Sequence, residues 1–278
     1  MITYSKIGHF GRLGNQMFQF AGAYGIAKKL GYDIAFPIEN VVEGQYEDFK
    51  DGVTRYCTFD IPKAFMLNES ILKPKSDILS KIEYSIENEP HFHFTDNYFK
   101  IPDNCDLRGY FQTEKYFEHV KDELLNLFTF KPDIKEAANK LFPKLDTETV
   151  SIHLRVGDYK GLENFHPVCS PEYYTNAASL FNDKEYNFII FSDDVNYCKE
   201  LFGEQENIHY IDNNDPYVDM CLMSMCDHNI IANSSFSWWA AYLNQNKNKQ
   251  VVAPKQWFGP AYYFQITDDL YCKGWKVV

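Results

Sequence analysis

One pattern limits this chain more than any other: from residue 149 onward, short apolar runs alternate with helical ones. Residues 149–155, 187–191, 208–211, 229–233 and 250–253 read as strands, rich in Val, Ile and Phe. Helices fill the gaps at 171–180, from after Ser192 to about 202, at 217–225 and at 235–243. Gly203 ends the second of these helices, and Pro254 closes the last strand. Strands that alternate with helices form a parallel, doubly wound sheet, because each parallel step needs a crossover. Such sheets take their ligands at the carboxyl ends of the strands. His153, Arg155, Asp193, Asp194, Asn233, Ser234 and Ser235 all fall at that edge, and the fold class expected is α/β.

The first half is less regular. It opens with a strand over 2–7, a Gly-punctuated turn, and a helix over 16–30 stopped by Gly31. Residues 37–102 are aromatic and loop-rich with few clean periods, and a helix over 114–128 closes this lobe. The boundary is expected between Pro132 and Asp146. That gives a first domain over 1–140 and a second over 141–278, with the C-terminal tail free to pack back on the first. At roughly 150 residues per domain, 278 residues fit two.

The charge balance is 27 − 39 = −12, so there is no electrostatic footprint for nucleic acid or an anionic membrane. One or two local Arg residues would still suffice for a diphosphate. Seven Cys without a C-x-x-C spacing suggest neither a disulfide framework nor a zinc site. No basic region followed by an apolar run opens the sequence, and the longest stretch without charge, 228–246, is full of Asn and Ser. A cytoplasmic protein with no membrane span is expected.

Four stretches carry residues suited to chemistry. Gly11-Arg12-Leu13-Gly14-Asn15-Gln16 sits at a strand-to-helix turn, where glycines admit a ligand to the backbone and a helix start offers N–H groups to an anion. The spacing is not G-x-G-x-x-G, and a tight turn with an exposed Arg is the plainer alternative. In His153-Leu154-Arg155-Val156-Gly157-Asp158-Tyr159, His153 and Arg155 are two apart and project to one face. An Arg there can pair with a diphosphate and stabilise it as a leaving group. An Arg155–Asp158 salt bridge bracing the loop is the alternative.

Ser192-Asp193-Asp194 can hold a metal, accept hydrogen bonds from a base such as guanine, or cap a helix. No D-x-D occurs in the chain, the spacing with which metal-dependent sugar transferases hold a cation, so a metal is the weaker option. Asn233-Ser234-Ser235-Phe236-Ser237-Trp238-Trp239 places hydroxyls and N–H groups at a helix start. It is an anion site or an ordinary cap, with the tryptophans in the core. G-x-S-x-G and H-E-x-x-H are absent, and no carboxylate pair stands out, which argues against common hydrolase layouts. The four stretches converge on holding a nucleotide diphosphate at strand ends without a metal.

Together these stretches, with Met17-Phe18-Gln19-Phe20-Ala21 and Phe191 extending two of them, resemble the bacterial type of the alpha-1,2-fucosyltransferase family. The likeness runs from residue 8 to Trp275. It implies a GT-B-like architecture, two Rossmann-like lobes facing a cleft. It also implies an inverting, metal-independent transfer of fucose from GDP-β-L-fucose to a hydroxyl, usually O2 of a terminal galactose. On this resemblance Arg155 contacts the diphosphate, and His153 and one of Asp193 and Asp194 lie near the guanosine. Asn233, Ser234, Ser235 and Phe236 line the nucleotide pocket, and Arg12 and Asn15 face fucose and acceptor. GDP-fucose is then a co-substrate, and neither a cofactor nor a metal is expected. The partner is a galactose-terminated oligosaccharide, whose site residues 37–102 are expected to shape.

The family usually has H-x-R-R-G-D-Y, and here Val156 replaces the second Arg. One strand position on, that side chain should point away from the Arg155 face, so its loss removes a bracing contact rather than the phosphate contact. Arg155 is the expected catalytic residue. Asp158 is the carboxylate nearest the motif that could act as general base, with a structural role as the alternative. The competing functions are a GDP-sugar-binding protein with impaired catalysis and a glycosyltransferase of different linkage or acceptor.

Overall fold

A computed structural model describes residues 1–41, 44–48, 53–86, 92–212 and 215–278. It divides into two compact units, Met1–Lys131 with Ile266–Leu270, and Pro132–Gln265 with Tyr271–Val278. Each unit is built on its own parallel sheet.

The first unit carries β1 (Ile2–Thr3), α1 (Leu13–Leu30), β2 (Ile34–Pro37), β3 (Gly44–Asp48), β4 (Val53–Cys57), α2 (Ile61–Ala64), β5 (Leu72–Lys73), α3 (Lys75–Leu79), β6 (Tyr84–Ile86), β7 (Cys105–Leu107) and α4 (Lys121–Leu127). Its sheet has the order β5-β2-β1-β7-β6, every pair parallel, beside an antiparallel β3–β4 hairpin. Helix α1 is apolar on all sides and buried from Met17 to Ala27, as a helix enclosed by its domain must be. Gly25 lets it approach its neighbours closely, since a Cβ there would lie 2.1 Å from the Tyr116 carbonyl oxygen. Gly31, at φ +71°, ends the helix in the left-handed conformation.

Two first-half expectations are corrected. The opening strand shrinks from residues 2–7 to Ile2–Thr3, because the Asp106 carboxylate takes the Ser5 N–H (2.8 Å) and the Ile7 N–H turns back to the Tyr4 carbonyl (3.0 Å). The helix expected over 114–128 is two 3₁₀ turns, Glu114–Tyr116 and Glu118–Val120, followed by α4. Phe117, fully buried, sits at φ −140° and ψ 4°, outside the helical region, and breaks it. Part of the span 37–102 lies outside the described residues.

The second unit opens on α5 (Pro132–Leu141), which lies outside the expected alternation. The alternation then holds through β8 (Thr149–Leu154), α6 (Pro171–Ala178), β9 (Asn187–Ser192), α7 (Val195–Phe202), β10 (Ile208–Ile211), α8 (Pro216–Met225), β11 (His228–Ile230), α9 (Ser235–Leu243) and β12 (Val251–Ala253). The edge strand β13 (Lys276–Val277) after it is again outside that expectation. Sheet order is β10-β9-β8-β11-β12-β13, all parallel. Order reverses at β8, which pairs with β9 on one side and β11 on the other. Ligands of open α/β sheets bind outside such a switch point. The even-numbered side chains of the β8 segment, Val150, Ile152, Leu154 and Val156, enter the apolar core with Tyr174, Ile190 and Ile230. The odd-numbered face is left for His153 and Arg155.

Candidate functional site

Arg155 emerges from β8 where the backbone turns into the 3₁₀ segment Gly157–Tyr159. Its side chain is 17% exposed and spans two carboxylates, Nη2 to Asp158 Oδ2 at 2.7 Å and Nη1 to Asp193 Oδ2 at 3.2 Å. The guanidinium carbon lies 5.8 Å from the Tyr159 ring centre. Burial opposes the guanidinium charge, but the Asp158 hydrogen bond and the Asp193 charge outweigh it and hold the pKa above its ordinary value. The Tyr159 hydroxyl donates to the Asn233 carbonyl (3.1 Å), which ties the Arg155 loop to the segment leading into α9.

Asp193 and Asp194 follow β9 and play different parts. Asp193 Oδ1 accepts the N–H groups of Val156 (2.9 Å) and Gly157 (3.0 Å). Asp194 caps α7 by accepting the Tyr197 N–H (3.1 Å) and pairs with Lys160 (2.7 Å). Burial pushes the Asp193 pKa up, yet the two N–H bonds and Arg155 leave it below the ordinary carboxylate value. For Asp194 the Lys160 contact lowers it.

At the switch point, Ser234 caps α9, its Oγ accepting the Phe236 N–H (3.3 Å). Ser235 and Phe236 are half-buried at the helix start, and the Phe236 ring lies 5.7 Å from the His153 ring. His153 is 4% exposed, with a buried Nδ1 that has no hydrogen-bond partner among the described residues. Burial first, and then Arg155, push its pKa down to about 3. It is therefore a neutral ring at working pH. Asn233 is buried and its amide donates to the carbonyls of Pro167 (2.8 Å) and Trp257 (3.1 Å). That side chain ties loops together.

Arg12 and Asn15 belong to the first unit. Arg12, exposed, precedes α1, and Asn15 Oδ1 accepts from Gln112 Nε2 (3.0 Å). The remaining expected site residues, His153, Arg155, Asp158, Asp193, Asp194, Asn233, Ser234, Ser235 and Phe236, are brought together at the β8 and β9 ends and the α9 start. Sequence reasoning gave no part to Gly157, Tyr174 or His166. Tyr174 donates to the His153 carbonyl (3.1 Å), and His166 stacks on Tyr159 at 5.2 Å. Only the Gly of the motif carried a signal, a backbone kept free of Cβ.

The sequence matches the model of glycosyl transferase family 11 over residues 3–278. The chain belongs to glycosyl transferase family 11. This family 11 chain is 30% identical to the O-antigen biosynthesis glycosyltransferase WbnK of Escherichia coli, over 93% of this chain and 96% of that protein. It is also 30% identical to an alpha-1,2-colitosyltransferase of Escherichia coli, over 89% and 90%. More distant relatives include galactoside alpha-1,2-fucosyltransferases. Among solved structures, POFUT1 in complex with GDP-fucose superposes with a TM-score of 0.54 at 15% identity, covering 89% of this chain and 95% of that one. The fold is thus GT-B-like, and the protein is a glycosyltransferase. Among the described helices none is long and apolar enough to cross a membrane.

Proposed function

We propose that this family 11 glycosyltransferase moves L-fucose from GDP-β-L-fucose to O2 of a terminal galactose, with inversion and without a metal. The observation that carries this reading is Arg155, fixed between two carboxylates at the switch point beside the α9 N-terminus. A guanidinium and the positive end of a helix are the groups a departing nucleoside diphosphate needs. His153, with a pKa of about 3, contributes shape and a neutral ring next to Phe236 rather than a proton.

In this mechanism the acceptor hydroxyl attacks the anomeric carbon from the face opposite GDP through an oxocarbenium-like transition state. The new glycosidic bond forms as the bond to the GDP oxygen breaks, and the hydroxyl proton passes to solvent. Charge that develops on the diphosphate is met by Arg155 and the α9 start. Asp158, with its carboxylate on Arg155, braces the guanidinium. Asp193 and Asp194 already bind N–H groups, Arg155 and Lys160, which supports a reaction that does not route through a cation on this pair. Val156 is fully buried in the core on the opposite face, so the position where the family usually has a second Arg lies off the anion-binding face. This favours a working transferase over an impaired binder.

A second donor, a colitose nucleotide, is favoured by the 30% identity to an alpha-1,2-colitosyltransferase. GDP release from GDP-fucose with EDTA present, against galactose-terminated acceptors, followed by linkage analysis, tests the reading. Acceptor-dependent release with an O2 linkage supports it. Binding without turnover by any acceptor, or turnover only with the colitose donor, overturns the fucosyl assignment. Arg155→Ala should lower kcat about 10²- to 10³-fold, the range for losing one preorganised donor to a developing anion. Nearly unchanged activity would remove Arg155 from the mechanism.

A further inference from the structure

We propose that Asp193 is a positioning residue that acts through Arg155, holding the guanidinium and the turn behind it with one carboxylate, rather than a reader of the nucleotide base. The inference rests on the proposed role of Arg155 toward a diphosphate. Sheet register makes the contact: β8 and β9 pair His153 with Phe191 and Leu154 with Ser192, and one step further brings residue 155 beside residue 193. One carboxylate oxygen then takes two consecutive N–H groups, of Val156 and Gly157, and the other takes Arg155 Nη1 at 3.2 Å.

Two of the roughly four acceptor positions of an ionised carboxylate are taken by N–H groups, and the second oxygen is paired with the Arg155 charge, leaving little capacity for a base. Gly157 is part of the same device. A Cβ at that position would stand 3.1 Å from Asp193 Oδ2 and 3.2 Å from its Cγ, so glycine lets the carboxylate lie close under the turn. Asp158 holds the opposite nitrogen, Nη2, from within the loop itself, and its side chain is 45% exposed. Asp193 comes from a different strand and is 28% exposed. It is the contact that fixes Arg155 relative to the sheet, while Asp158 moves with the loop.

The test is a double-mutant cycle of Asp193→Asn against Arg155→Ala, read in kcat, in KM for GDP-fucose and in the Kd of inorganic diphosphate. Asp193→Asn keeps an amide oxygen for the two N–H groups and loses the charge on Arg155. Alone, it should lower kcat about tenfold or more and weaken diphosphate binding, with a thermal midpoint close to wild type. In the Arg155→Ala background it should cost nothing further. Preference for GDP over IDP, whose base lacks the exocyclic amine, should stay unchanged. Gly157→Ala, acting on the same contact from the other side, should show the same pattern if Asp193→Asn proves unstable.

A further loss in the Arg155→Ala background, or a lost preference for GDP, would show that Asp193 touches the donor itself and overturn the proposal. Absent turnover with the diphosphate coupling intact overturns the transfer reaction alone. A wild-type chain that binds neither GDP nor diphosphate overturns both.

Discussion

His153 shows how burial decides the chemistry of a residue type. A histidine at a strand end beside an Arg invites an acid–base role, yet this one is 4% exposed and its pKa is pushed down to about 3. The shift carries a stability consequence whose sign is fixed. The folded pKa lies below the ordinary 6.5, so as pH falls through 6.5 the unfolded chain takes up a proton that the folded one refuses until about pH 3. Folding then loses about 1.4 kcal/mol per pH unit from this group alone. His153→Gln should be less stable at pH 7, because it disturbs a packed site. Its acid-side decline between about pH 6 and pH 4 should be shallower than that of wild type by about one proton per molecule. Urea unfolding across that range measures it. Parallel slopes would show that His153 titrates normally. Because the ring is neutral throughout, a kcat profile with an acid limb near the ordinary histidine pKa must owe that limb to another group.

Among elements, helix α1 makes the clearest case for close packing. Alanine for an interior helical glycine ordinarily gains about 1 kcal/mol in helix propensity. Gly25 should reverse that sign, because the added Cβ would stand 2.1 Å from the Tyr116 carbonyl and 2.8 Å from Phe117 Cα, both backbone atoms that cannot rotate away. A net loss of roughly 1–3 kcal/mol is expected, read as a lower denaturation midpoint. A stabilised variant would mean that the 3₁₀ turns yield easily.

The same region marks the limit of what could be read in advance. Elements of the second unit were legible because β8 and β9 run six residues each and their helices carry Ser170, Asp194, Asp215 and Ser234 caps. In the first unit β1 and β5 are two residues long, and two residues have no period. The continuous apolar pattern around Tyr116, Phe117 and Val120 suited one helix, whereas burying adjacent side chains took two 3₁₀ turns. At the site, residue types, the Arg155–Asp158 pair and the caps of α7 and α9 were legible in the sequence, but contacts between strands were not. The Arg155–Asp193 and Tyr159–Asn233 contacts depend on strand neighbours that sequence spacing does not encode.

At the scale of the whole molecule the chain crosses between units three times, after Lys131, after Gln265 and after Leu270. The middle excursion, Ile266–Leu270, belongs to the first unit, yet the chain then returns to supply edge strand β13 to the second sheet. Asp269 helps to fasten this excursion. Its carboxylate accepts the Phe94 N–H at 3.0 Å and pairs with Lys115. Lys115 is 48% exposed, so that pair is worth little by itself. The weight falls on the N–H bond to a side chain only 20% exposed.

Burial raises the Asp269 pKa, but Lys115 and the Phe94 N–H together bring it below the ordinary 3.8. Its stabilising contribution is therefore complete above that ordinary value and fades as pH falls through the lower folded one. Asp269→Ala should cost roughly 1–3 kcal/mol at neutral pH. The gap from wild type should narrow below about pH 3.8. Hydrogen exchange should quicken at the Phe94 amide and across residues 266–270, while the β8 and β9 amides keep their protection. Faster exchange in β8 as well would mean that the two units open together rather than separately. In that case a mutation far from Arg155 could still lower activity, by unfolding the sheet that holds it.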